Sequence, residues 1–243
     1  MEMLFPLLIV FGSVLIQACT GFGFGIIAIP LLMLTFDAHT AIFLSGALSL
    51  ASCLIALPSV WRHAERRLML RVFGGSLIGL PLGALLYFAI PVLWLKLLVS
   101  ISILVATALL ARKTVFRLGE GRRVGVISGT LSTSVGMPGP PLVMLLTSKG
   151  VNKDTFRGTS VLYNAMLYPI SLLLQWMSDR VIIHSLAHFY WYIPAILLGQ
   201  WIGSAIQKQI TPVLFRGVTL LLLLVTGVNA LIPSLVTLYQ LAR

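Results

Sequence analysis

Long uncharged apolar stretches alternate along this chain with short runs of basic residues. Of its 243 residues, 58% are hydrophobic and 9% are charged, and the mean hydropathy is +1.03. A soluble domain carries about 25% charged residues and fewer than about 50% apolar ones. An apolar stretch of about 20 residues is long enough to cross a bilayer as a helix. The sequence therefore predicts an all-α polytopic membrane protein, not a soluble enzyme, a disordered chain or a nucleic-acid binder.

Six stretches have the length and hydropathy of single membrane-spanning helices: 40–61, 71–90, 94–111, 158–177, 189–206 and 212–232. Two further apolar regions are interrupted by Gly and Pro, and Pro breaks a helix because it lacks an N–H and clashes with the preceding turn. Each of these regions is predicted to form two short helices around a break, 3–19 with 24–36 and 124–135 with 140–148. The shorter pieces would span only about half of a 30 Å hydrocarbon core.

The two interrupted regions begin two similar halves. The segment Gly25-Ile-Ile-Ala-Ile-Pro30 aligns with Gly136-Met-Pro-Gly-Pro-Pro141. Further along, the pair Gly79 and Gly83 aligns with Gly199 and Gly203, and small residues at this spacing suit close helix packing in membranes. We interpret 1–111 and 124–243 as two repeats that are joined by a basic cytoplasmic linker, 112–123.

The basic residues predict the orientation. If each interrupted region enters and leaves the membrane on one side, each half has three full crossings and the second half is inverted. Both termini then lie outside, and of the 17 basic residues only Lys96, Arg180 and Arg243 are outside, as expected when cytoplasmic loops are rich in Lys and Arg. The predicted architecture is two inverted repeats in the inner membrane, each a re-entrant or broken helical hairpin plus three transmembrane helices.

Inverted repeats that each contain a broken helix are typical of secondary transporters. Non-helical backbone at membrane depth is tolerated only where it lies within protein or lines a polar cavity, so the two breaks are expected to meet near the midplane. A helix that starts after a break presents free N–H groups and a partial positive charge, which suit an anion. No Asp, Glu, Lys or Arg is expected near the midplane. Tight packing is the alternative role for these glycines.

The candidate substrate site combines the break residues with nearby polar side chains. Its predicted members are Gln17, Thr20, Gly21, Phe22, Gly23, Phe24, Gly25, Ser45, Ser49, Ser134, Gly136, Met137, Gly139, Ser160 and Asn164. Asn164 is the strongest side-chain candidate, because an amide in hydrocarbon is costly without a partner. A hydroxyl in a transmembrane helix more often bonds the carbonyl four residues earlier, which is the alternative for each Ser and Thr.

Other polar residues have simpler expected roles. Lys96 is expected to snorkel to the interface, and it and Arg157, at the ends of their spans, are candidates for drawing anions toward the site. Asp37 is predicted to cap the helix that begins near Thr40. His184 and His188 lie four residues apart in an outer loop without nearby Cys or Glu, so no metal site is expected and no cofactor is predicted.

The glycine-rich break followed by an apolar stretch with Pro and Leu occurs twice, from Thr20 to Leu32 and from Gly136 to Val143. With the later Gly158, Ser160 and Asn164, this pattern resembles the TauE/SafE family of sulfite exporters over the whole chain. The resemblance implies a multi-pass permease for a sulfur-containing anion such as sulfite, a sulfonate or thiosulfate. The family usually has more glycines at these breaks, and the bulkier residues here point to a different, organic anion as a second option.

The predicted function is a secondary transporter, and the direction is predicted to be export. An anion that leaves a cell that is negative inside gains roughly 2.3 kcal/mol per charge per 100 mV, which favours efflux. An anion channel of the same architecture and a non-transporting membrane scaffold are the alternatives. The expected partners are a small anion and the lipid bilayer, without nucleic acid, and the sequence leaves the oligomeric state open.

Overall fold

The computed structural model describes residues 4–91, 121–177 and 189–207, with individual positions between 94 and 108. The fold is all-α. The helices are α1 Leu4–Thr20, α2 Phe24–Leu32, α3 Ala38–Val60, α4 Arg66–Ala89, α5 Gly121–Val135, α6 Gly139–Ser148, α7 Lys153–Trp176 and α8 Ile193–Gln207. Short 3-10 turns at Trp61–His63 and Phe189–Tyr192 follow α3 and precede α8. The predicted span 212–232 lies outside the described residues, and 94–111 is described only at scattered positions.

Several helices begin earlier than their apolar stretches do. α4 begins at Arg66 and α7 at Lys153, each five residues before the predicted start of its span. α5 likewise begins at Gly121, within the predicted linker. Hydropathy marks the apolar part of a helix, whereas the backbone continues for one or more turns with basic side chains that reach solvent.

Side-chain caps set two of the helix starts. The Asp37 carboxylate accepts the Thr40 N–H at 3.0 Å and caps α3, which confirms the predicted capping role. Partial burial acts to raise the pKa of Asp37, but hydrogen bonds from Thr40 and the neighbouring His39 outweigh it and hold the pKa below its usual range. Asn152 caps α7 in the same manner, since its side-chain oxygen accepts the Thr155 N–H at 2.8 Å. Such caps satisfy N–H groups that have no partner within the helix.

Two helical segments of the described chain are long and apolar enough to cross a membrane, Ala38–His63 and Arg66–Ala89. α4 also carries a row of exposed apolar side chains, among which Leu85 and Ile78 are 64% and 63% exposed. An apolar surface of this kind suits contact with lipid.

Two pairs of helices, α4 with α5 and α8 with α1, come into close backbone contact at glycines. A Cβ at Gly79 would overlap the Val126 carbonyl of α5, and one at Gly83 would overlap the Thr130 carbonyl. On α8, a Cβ at Gly199 would lie 3.0 Å from the Phe11 carbonyl and one at Gly203 would lie 2.7 Å from the Leu15 carbonyl. The contacts advance in the same direction along both partners, so α4 runs parallel to α5 and α8 runs parallel to α1.

Among the helices that the structure describes, the buried side chains form two modules of four helices each. The first module has a core from α1, α2, α3 and α8, and the second has a core from α4, α5, α6 and α7. Each module thus takes three consecutive helices from one half of the sequence and a fourth helix from the other half. The modules meet where α3 packs antiparallel to α7, since Gly46 contacts Leu172 near one end and Val60 contacts Gly158 near the other.

Candidate functional site

The first helix break is a short turn that Thr20 organises. The Thr20 hydroxyl lies 2.8 Å from the Ile16 carbonyl and 2.5 Å from the Phe22 carbonyl, and it accepts the Phe22 N–H at 3.1 Å. Gly23, the residue before α2, has φ +97°, a left-handed conformation that costs glycine little and other residues much more. Thr20, a predicted site residue, is therefore occupied with the backbone of the break.

The second break ends α5 with another left-handed glycine. The Gly136 N–H donates to the Ser132 carbonyl at 3.1 Å, and the Met137 N–H donates to the Leu131 carbonyl at 3.1 Å. The Ser128 hydroxyl donates to the Pro138 carbonyl and so ties the turn back to α5. Ser128 was not among the predicted site residues, because its role depends on how the turn folds back.

The two breaks are in direct contact. A Cβ at Gly25, in the first turn of α2, would lie 2.5 Å from the Gly136 carbonyl oxygen. A Cβ at Gly139, where α6 begins, would lie 3.6 Å from the Phe22 side chain. The predicted meeting of the two breaks is thus confirmed, while their depth in the membrane stays a prediction.

The two helix starts differ in the number of N–H groups that they present. The first-turn residues of α2, from Phe24 to Ile26, all carry an N–H, and the first N–H groups of a helix have no partner within it. α6 begins at Gly139 and continues with Pro140 and Pro141, and proline has no N–H. The N–H donors of the two helix starts are therefore concentrated at α2.

The apolar side chains of the breaks pack into cores. Phe22 and Met137 belong to a cluster of buried residues that joins the two modules, and the Phe22 ring meets Phe156 edge-on at a centroid distance of 5.8 Å. Phe24 lies in the core of the first module and is 1% exposed. These three predicted site residues shape the breaks by packing.

Gln17 and Ser49, both predicted site residues, are brought together. The Gln17 amide nitrogen donates to the Ser49 hydroxyl at 2.9 Å and to Cys53 Sγ at 3.2 Å. Gln17 Oε1 is buried and has no hydrogen-bond partner among the described residues. This amide links α1 to α3 one turn before the first break.

Three further predicted residues have buried polar atoms that the described chain does not satisfy. They are Ser45 Oγ on α3 and, on α7, Ser160 Oγ and Asn164 Oδ1. Buried polar groups in folded proteins are hydrogen-bonded in the great majority of cases, to protein, water or ligand. Ser134 differs, because its hydroxyl donates to the Thr130 carbonyl at 2.7 Å, the local bond expected as the alternative role for a helical serine.

Arg157 lies against the first break, beside Gly21. A Cβ at Gly21 would lie 2.9 Å from Arg157 Cα and 3.1 Å from its Cγ, and Arg157 is 8% exposed. Its guanidinium donates to Gln207 Oε1 at 2.5 Å and to Ser204 Oγ at 3.1 Å. The sequence placed Arg157 at the end of a span because the apolar stretch opens at Gly158, whereas α7 begins at Lys153 and buries it.

Within the described residues, no group of three His, Cys, Asp or Glu side chains could hold a metal ion. His184 and His188 lie outside those residues. The polar side chains assembled around the breaks are amides, hydroxyls and one guanidinium, which are groups that bind small polar or anionic molecules.

The fold and the broken helices define a class, that of helical membrane proteins with irregular backbone held inside the protein. Residues 5–230 match the sulfite exporter TauE/SafE family. The chain therefore belongs to the TauE/SafE family, which is a family of membrane transporters, and the resemblance in the sequence is confirmed. No curated protein and no solved structure matches the chain.

Proposed function

We propose that this protein is a secondary transporter that exports a small sulfur-containing anion, sulfite or an organosulfonate, across the inner membrane. The observation that carries the proposal is the direct contact between the two helix breaks at Gly25 and Gly136. Irregular backbone from both halves meets there, and the family is one of sulfite exporters. Such a junction is where broken-helix transporters bind substrate.

The first break supplies the backbone donors for the anion. The N–H groups from Phe24 to Ile26 and the partial positive charge at the start of α2 attract an anionic group. A bound anion would accept these hydrogen bonds directly, and glycine at 23 and 25 would let it approach the backbone. Ser45, Ser160 and Asn164 would set specificity through buried polar atoms that have no partner among the described residues.

Two inverted repeats account for the arrangement of the modules. In such a pair, α1 to α4 correspond to α5 to α8 in the opposite direction, so equivalent helices run antiparallel. The antiparallel contact of α3 with α7 supports this reading, and so do the matching parallel contacts of α4 with α5 and α8 with α1. Rocking of one module against the other would expose the junction to each side of the membrane in turn, with both termini outside the cell membrane.

The proposal is tested by the flux of radiolabelled sulfite from liposomes that contain the purified protein. Gly25→Ala places a methyl group against the Gly136 carbonyl, so it is expected to separate the breaks and to reduce flux at least about tenfold. Gly12→Ala is the matched control, because its Cβ meets nothing within 4 Å and its flux should be unchanged.

The outcomes separate the possible functions. If folded wild-type protein releases no sulfite, sulfonate or thiosulfate above empty liposomes, transport of these anions is refuted. Ionic currents far above the turnover of a transporter would instead identify an anion channel. Undiminished flux in Gly25→Ala would show that the contact between the breaks is dispensable.

A further inference from the structure

We propose that Arg157 is a substrate-binding residue and that the transported anion is the counter-ion of its buried guanidinium. The inference rests on the proposed function and names the side chain that supplies positive charge to the site. It adds a cation, whose backbone lies beside the first break, to the backbone donors and neutral groups of the proposed site.

Arg157 is buried, and within the described ranges of the chain no carboxylate is paired with it. Among the charged side chains that the structure describes it is the one classed as buried, at 8% exposed, and none of its described interactions is an ion pair. Asp154 lies one turn earlier on α7, where it is exposed and acts on Arg157 only at a distance. The sequence after Gln207 contains no Asp or Glu. A buried cation is costly unless an anion and hydrogen bonds compensate it, so an external anion fits this site.

The guanidinium also has one buried N–H donor, on Nε, that no described residue accepts. Arginine carries five N–H donors, of which the structure engages one on Nη1 with Gln207 and one on Nη2 with Ser204. Nε is buried and has no partner in the described part of the chain. These neutral partners hold the plane of the guanidinium in place, and no described residue supplies a negative charge to it.

The backbone and the base of the Arg157 side chain lie beside the first break. The Cα and Cγ atoms of Arg157 pack on Gly21, three residues before α2 begins. Lys153, which is exposed, lies one turn earlier on α7 and donates to the Gln207 carbonyl at 2.5 Å. Both cations therefore donate to Gln207, Lys153 from the protein surface and Arg157 from the interior.

The chemistry of the guanidinium limits the class of anion that would bind to it. Its planar N–H groups match oxyanions, whose oxygens accept parallel hydrogen bonds, better than they match a spherical halide. We therefore expect the site to prefer sulfite or a sulfonate to chloride. Lysine would keep the charge but would lose the Nε donor and the planar geometry.

The test is sulfite binding to detergent-purified protein by calorimetry, with the thermal stability of ligand-free protein measured in parallel. Arg157→Gln removes the charge, and Arg157→Lys keeps the charge but removes the planar set of N–H donors. Gln207→Glu is the sharpest variant, because it retains an oxygen for Nη1 and supplies an internal carboxylate that competes with the anion. Arg67→Gln, an exposed basic residue on α4, is the matched control.

We expect sulfite affinity to fall by about tenfold or more in all three variants at 157 and 207, and to be unchanged in Arg67→Gln. Gln207→Glu should in addition be as thermally stable as the wild type or more stable, because it pairs the buried charge. A purely structural Arg157 predicts the same stability for Gln207→Glu but intact sulfite binding, so the binding measurement separates the two roles.

Wild-type affinity in Gln207→Glu and Arg157→Lys would overturn this inference and leave the proposed function standing. If Arg157→Gln does not fold, those two variants decide the question. Absence of binding in folded wild-type protein, for sulfite and for the sulfonates taurine and isethionate, would overturn both the inference and the proposed function.

Discussion

At the scale of single residues, the polar atoms left unsatisfied in the interior distinguish site candidates from structural residues. Thr20 and Ser134 have backbone partners, whereas Ser45, Ser160 and Asn164 keep buried polar atoms with none among the described residues. Sequence position could not separate these two groups, because the choice depends on which carbonyl lies within reach. The distance of each residue along the sequence from a glycine-rich break indicated that it lies near the break, but not which group accepts or donates its hydrogen bond.

Asn164 is the residue that best tests this distinction. Asn164→Leu replaces a buried amide by an apolar side chain of similar size, so the ligand-free protein should be more stable by about 1–3 kcal/mol. If Asn164 binds the anion, sulfite flux in liposomes should fall about tenfold or more although the fold is stabilised. Thermal unfolding and flux on the same preparation measure both effects. A stabilised variant with full flux would assign Asn164 no part in transport.

Arg157 marks the limit of residue-level prediction. The sequence places it one residue before an apolar stretch, which suggests an interface position, and the structure buries it against Gly21. The cause is the early start of α7, which a hydropathy profile cannot detect because it measures side chains and not backbone hydrogen bonds. The capping residue Asn152, with Asp154 in the first turn of the helix, would have been the sequence signal for this extension.

At the scale of helices, glycine and proline predicted the breaks well. The observed breaks fall between Thr20 and Phe24 and between Val135 and Gly139, within the regions that the sequence assigned. The sequence also shows that Pro140 and Pro141 carry no N–H. This matters for anion binding only once the structure places them in the first turn of α6. The residue at which a helix begins determines which backbone N–H groups have no partner within the helix.

The glycine pair of α4 gives a prediction at this scale. Gly79→Ala and Gly83→Ala would each drive a methyl group into a carbonyl of α5, so each should destabilise the protein by about 1–3 kcal/mol or more. Gly74→Ala is the control on the same helix, because nothing lies within 4 Å of its Cβ, and it should be neutral or stabilising. Unfolding in detergent, monitored by thermal melts, compares the three. Equal stability of all three variants would contradict the close α4–α5 packing.

At the scale of the whole molecule, the exchange of a helix between the halves was not predictable from the sequence. The internal repeat was apparent, and the repeated glycine pairs indicated close packing, but not with which helix. The apolar composition of α4 does not indicate which half of the sequence it packs against. Its packing on α5 depends on the close backbone contacts at Gly79 and Gly83. The same choice recurs between α8 and α1, so each module needs both halves of the sequence to complete its core.

This exchange makes a prediction about transport. If the two modules rock as bodies, a bond between α3 and α7 should stop sulfite flux, whereas a bond within one module should not. Gly46→Cys with Leu172→Cys joins the modules, since a Cβ at 46 would lie 3.8 Å from Leu172 Cγ. Gly121→Cys with Arg71→Cys lies within the second module at a Cβ separation of 3.5 Å, which suits a disulfide.

Both pairs are made in a protein without Cys19 and Cys53, and flux is measured before and after oxidation or treatment with a short thiol cross-linker. The α3–α7 pair should lose most of its flux on cross-linking and regain it on reduction, whereas the α4–α5 pair should keep its flux throughout. Reversible loss in the first pair alone would locate the moving boundary between the modules. Full flux in a completely cross-linked α3–α7 pair would contradict motion at this boundary, and the conformational change would then have to occur at the helix breaks themselves.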